Sequence, residues 1–157
     1  MLIALALALQ AVRLVLPLPQ PVSTFVIGSL VHMMLVLTWK LSGLGTALLL
    51  ALLLPLTAYL QGQVLLPLLI PVIWAGNALF VVLLQLFSAN RRLALFLPPL
   101  AKAVLMGVAA WCVVNIVALP NPALRKTIMF GMSVPQLVTA FIGIWLARQV
   151  FLRIRKF

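Results

Sequence analysis

Six apolar runs, parted by short breaks rich in proline and glycine, take up almost the whole of this chain. They cover roughly Leu2–Leu16, Phe25–Trp39, Leu44–Leu60, Leu66–Phe87, Leu93–Leu119 and Thr127–Leu152. Runs this long leave too little polar surface to coat a core in water, and the mean hydropathy of +1.33 lies far above that of a soluble domain. In lipid, every backbone polar group needs a partner within the protein, so spans are helices or closed barrels. A barrel needs polar and apolar residues in alternation, and the stretch Ala47–Leu54 has none. The pattern predicts an all-α polytopic membrane protein: one domain, residues 1–157, folded as a compact bundle of six transmembrane helices.

The breaks carry turn chemistry. Pro17-Leu18-Pro19-Gln20-Pro21 cannot continue a helix, because each proline removes a donor and restricts the residue before it. Ser42-Gly43-Leu44-Gly45, Gln61-Gly62-Gln63, Ser88-Ala89-Asn90-Arg91-Arg92 and Pro120-Asn121-Pro122 make the other connections. The first run lacks the basic start and small-residue cleavage site of a signal peptide, so it reads as a membrane helix. At about 25 Å it is short or tilted.

The chain has eleven Lys and Arg but no Asp or Glu. Carboxylates carry most proton relays, hard-metal sites and acid/base pairs, so this chain is poorly equipped to drive ion-coupled transport by itself. The charges follow loops and the C-terminal end, with no basic helix face interleaved with stacking aromatics, so nucleic acid is not an expected partner. With both termini inside, Lys40, Arg91, Arg92, Arg148, Arg153, Arg155 and Lys156 fall on the inner surface. Arg13, Arg125 and Lys126 fall on the outer one, which satisfies the positive-inside rule. The lone Cys112 permits no disulfide within the chain.

Lys102 is the most informative single residue, because it falls near the bilayer midplane with no carboxylate to pair with. Two roles suit it: contact with an anionic ligand, or a structural cation bonded to carbonyls that proline frees. Asn77 and Gln136 lie at comparable depth; Trp74 shares a face with Asn77, and Thr139 and Gly143 share one with Gln136. Such amides either bond neighbouring helices or converge on a small-molecule pocket. His32 is the one histidine; it cannot form a multi-histidine zinc site, and a hydrogen bond between helices suits it better. Gln20 with the first loop, or Asn121 to Lys126, suits a lid, and Tyr59 and Gln63 suit an interfacial anchor or a pocket rim. Ala4, Ala8 and Ala11 form a stripe of small residues that lets a partner helix approach closely. No nucleophile-base-acid set and no phosphate loop occur, so no catalytic residue, metal or resident cofactor is expected.

In their order and spacing these pieces resemble the substrate-binding S component of an energy-coupling factor (ECF) vitamin transporter. The resemblance rests on the alanine stripe, Leu54-Pro55-Leu56-Thr57-Ala58-Tyr59-Leu60-Gln61-Gly62, and Pro71-Val72-Ile73-Trp74-Ala75-Gly76-Asn77. Lys102 and Pro135-Gln136-Leu137-Val138-Thr139-Ala140 with Gly143 complete it. It implies a bacterial plasma-membrane protein, termini cytoplasmic, that binds a vitamin or related micronutrient from outside. It implies docking through Ala4, Ala8 and Ala11 on a transmembrane scaffold subunit coupled to two ATPase subunits. Trp74, Asn77, Lys102, Gln136 and Thr139 would contact the cargo. The chain departs from the family in lacking acidic loop residues and in placing His32 where a small amide is expected, and no signature assigns the cargo. Two other readings remain open: a structural or assembly protein without ligand, and an oligomeric anion-permeable pore lined by Lys102.

Overall fold

A computed structural model describes residues 1–15 and 19–154, with the side chains of Gln20 and Pro21 left aside. Arg155 and Lys156, expected on the inner surface, and the side chain of Gln20, expected in a lid, lie outside the described residues. Among the described residues the fold is wholly helical: α1 (Leu2–Val15), α2 (Gln20–Ser42), α3 (Leu44–Leu60), α4 (Leu69–Leu86), α5 (Arg91–Ile116), α6 (Pro122–Gly131) and α7 (Val134–Ile154). Four stretches are long and apolar enough to cross a membrane: Val22–Ser42, Leu69–Leu86, Arg91–Ile116 and the α6–α7 stretch Pro122–Ile154. The chain is a multi-pass helical membrane bundle. Helices α1 and α3 are apolar but shorter.

The sixth expected segment is two helices. Pro135 has no N–H for the carbonyl of Gly131, so the ladder breaks there. The Gln136 side-chain amide donates to that carbonyl at 3.3 Å, and Ser133 Oγ donates to Met129 O at 2.8 Å. Two prolines inside α5, Pro98 and Pro99, leave that helix unbroken. Asn90 caps α5, its Oδ1 accepting from Arg92 N and Leu93 N at 3.2 Å, and Asn121 caps α6 in the same way. Gly43 makes the tight α2–α3 turn at φ 87°, which a side chain would resist.

Helices α1 to α5 run up and down in turn, and α7 returns from the end where α5 finishes, so the start of α1 and the end of α7 share one end of the bundle (the near end). The loops after α1, α3 and α5 share the other, far end. Lipid is as apolar as leucine, so close packing rather than apolar burial holds such helices together. The interior mixes small and large residues: Ala6, Ala47, Ala51, Ala110, Ala140 and Ala147 are wholly buried, and so are Leu35, Leu50, Phe80 and Met106. Larger apolar residues such as Leu100, Val108, Trp111 and Trp145 face outward. One buried cluster joins α1, α2, α3, α4 and α7; a second, of Val64, Leu69, Ala110, Val114 and Ile128, closes the far end.

Candidate functional site

Lys102, a little below the middle of α5, is 1 % exposed, and its side chain ends between α2 and α4. Its Nζ donates to Asn77 Oδ1 at 2.6 Å and to His32 Nε2 at 2.5 Å. His32 Nδ1 in turn donates to Gly28 O at 2.7 Å. A carbonyl only accepts, so the ring proton sits on Nδ1 and Nε2 is left to receive the amine. The Phe80 ring meets His32 edge-on at 5.4 Å, and its face lies 5.8 Å from the amine. A buried amine in lipid costs several kcal/mol unless dipoles or a ring replace its water. Here an amide oxygen, an imidazole nitrogen and a ring do so.

Two glycines make room for this cluster. A Cβ on Gly143 of α7 would overlap Cβ of His32 and stand 2.9 Å from Met33 N. A Cβ on Gly76 of α4 would meet the Met106 side chain at 2.6 Å. At Gly143 the backbone of α2 passes too closely for any side chain, whereas at Gly76 the space is taken by the Met106 side chain.

The residues expected to bind cargo have different fates. Asn77 and Lys102 come together. Thr139 is buried, but its hydroxyl donates to Pro135 O at 2.8 Å and its methyl packs on Gly28. Gln136 is half-buried and holds Gly131 O. Trp74 is 43 % exposed on the outside of the bundle. Three residues of helix leave it about 60° from Asn77, enough to move it from the interior to the lipid face. Gln136 and Thr139 therefore brace the start of α7, while Asn77, Lys102 and His32 form a closed polar knot.

A cavity of about 510 Å³ lies at the far end, among α1, α2, the α3–α4 loop, α6 and α7. Arg13, Lys126, Thr24, Gln63 and Thr127 supply its polar walls; Phe25, Leu69, Ile128 and Phe130 supply apolar ones. Asn115 Oδ1 accepts from Arg125 Nη2 at 2.6 Å and ties α6 to the end of α5. Gly131 and Pro135, the residues held by Gln136 and Thr139, line the floor. Gln63 was legible as a pocket rim, but Thr24, Phe25 and Thr127 were not. They carry no unusual chemistry, and only the placing of α6 and the start of α2 around one cavity brings them together.

The exposed face of α1 carries Ala4 and Ala8, with Ala11 half-buried beside them. Ala6 and Gln10, on the opposite face, seat α1 in the bundle; Gln10 Nε2 donates to Leu54 O at 3.1 Å. Among the described residues no group of three His, Cys, Asp or Glu is placed to hold a metal. No protein-family model, curated protein or solved structure matches the chain.

Proposed function

We propose that this chain is the membrane-embedded substrate-binding subunit of an ECF-type ABC transporter, and that it captures a vitamin-like micronutrient for ATP-driven uptake. The observation that carries the reading is the far-end cavity of about 510 Å³, lined by α6 among other elements and walled by Arg13 and Lys126. That volume suits a small molecule, and apolar walls with a few convergent polar groups are the usual makeup of a ligand site. With no carboxylate in the chain, the walls favour cargo bearing a carboxylate or phosphate.

The charge distribution supports an orientation with this cavity outward and both termini cytoplasmic, as in a bacterial plasma membrane. The exposed Ala4 and Ala8 support docking on a transmembrane scaffold subunit, since α1 needs its other face for its own bundle. In this mechanism the chain binds and orients cargo, and two ATPase subunits supply the energy. Gln136 and Thr139 act through Gly131 and Pro135, holding the floor against which the cargo rests. The Lys102 knot keeps α2, α4 and α5 in register beneath it.

The test is mass spectrometry of small molecules that copurify with the protein, followed by thermal shift across a vitamin panel. A ligand at 100 times its Kd raises stability by about 2.7 kcal/mol. No copurifying molecule and no shift would sink the reading. A ligand-free assembly role is the second reading, favoured by the closure of Lys102 on His32 and Asn77; it predicts that outcome.

A further inference from the structure

A second cavity, of about 440 Å³, opens at the near end, among α2, α4, α5 and α7. Three cations from three helices stand around it: Lys40, Arg91 and Arg148. All three are exposed, and neither arginine side chain forms a hydrogen bond or ion pair among the described residues. Deeper in, Val36, Leu84, Leu95 and Ile144 make an apolar wall. Two tryptophans flank the opening. Trp39 is held in place, its Nε1 donating to Gln85 Oε1 at 2.6 Å. The Lys40 amine rests 4.8 Å from the Phe151 ring.

We propose that this groove binds an anionic phospholipid, with the phosphodiester between Arg91 and Arg148 and the first part of an acyl chain against the apolar wall. Charge complementarity selects that occupant. A free phosphate would use the cations but leave the apolar wall unfilled. A zwitterionic lipid would bring its own cation against three others. Basic grooves between transmembrane helices, with tryptophan at headgroup level, are suited to such lipids. Arginine adds a planar fork that meets two phosphate oxygens at once.

The test titrates the purified full chain in detergent with dioleoyl phosphatidylglycerol or dioleoyl phosphatidylcholine, read by thermal shift and by native mass spectrometry. Phosphatidylglycerol should bind at least about tenfold more tightly than phosphatidylcholine, and the R91Q/R148Q pair should remove that preference. The R125Q/K126Q pair, at the far end, should keep it. Equal affinity for both lipids overturns the proposal, as does a preference that survives R91Q/R148Q or is lost equally in R125Q/K126Q. Inorganic phosphate producing the same shift, and losing it in R91Q/R148Q, also overturns it. Should R91Q/R148Q fail to fold, phosphatidylglycerol with a photoreactive headgroup should crosslink the wild-type chain on peptides carrying Arg91 or Arg148. Crosslinks confined to other peptides overturn it.

Discussion

Nζ of Lys102 stands 2.5 Å from Nε2 of His32, a residue 70 positions away on another helix. The contact joins α5 to α2, and the Asn77 amide oxygen adds α4. Three helices are thus pinned at one level by groups that would otherwise be costly in lipid. The contact also makes the cluster asymmetric: removing one member strands the others, whereas removing all three strands nothing.

That asymmetry is measurable. Lys102→Met leaves His32 Nε2 and Asn77 Oδ1 buried without a donor and should lower unfolding stability by about 2 kcal/mol. The triple variant Lys102→Met, His32→Leu, Asn77→Leu should recover much of that loss. Chemical unfolding in detergent reads both. A triple variant no more stable than Lys102→Met would show that the polar knot is not what the single substitution breaks.

Gly143→Ala should cost more than about 2 kcal/mol, because its Cβ meets backbone of α2 at Met33 N, which cannot step aside. Gly45→Ala is the matched control. Nothing lies within 4 Å of a Cβ there, so it should be neutral or stabilising by up to about 1 kcal/mol. Thermal unfolding of the two variants checks the pair; similar losses would contradict the close α2–α7 approach.

Lys126→Ala should weaken cargo binding by about tenfold or more, the worth of one charge-assisted hydrogen bond. The stability of the ligand-free protein should not change, since Lys126 is exposed. Calorimetry with the copurifying molecule measures the first and thermal unfolding the second. Unaltered affinity would remove Lys126 from the site.

Ala8→Trp should abolish copurification with a co-expressed scaffold and its ATPases, while the isolated subunit keeps its affinity for cargo. Ala8 is exposed, so the added ring meets no part of this chain's interior. Intact assembly in that variant would move the docking surface elsewhere.

The sequence by itself determined that the chain is helical and roughly where it turns, though α2 begins at Gln20 rather than Phe25 and the last expected segment, from Thr127, begins at Pro122 and is two helices. Apolar runs in lipid must be helical, and Gly43 or the Ser88–Arg92 break stops a helix wherever the chain continues. It also singled out Lys102, because a buried cation without a carboxylate must find some other partner. Pro135 was visible, but the break between α6 and α7 was not, since Pro98 and Pro99 sit inside an intact helix. Whether proline divides a helix depends on what donates to the freed carbonyl, and that is a matter of neighbours. The tertiary structure alone decided that Lys102 turns to His32, that Trp74 faces outward and that Arg13, Thr24 and Lys126 share a cavity. Periodicity gives the angle of a residue around its own helix; only packing says which angle points inward.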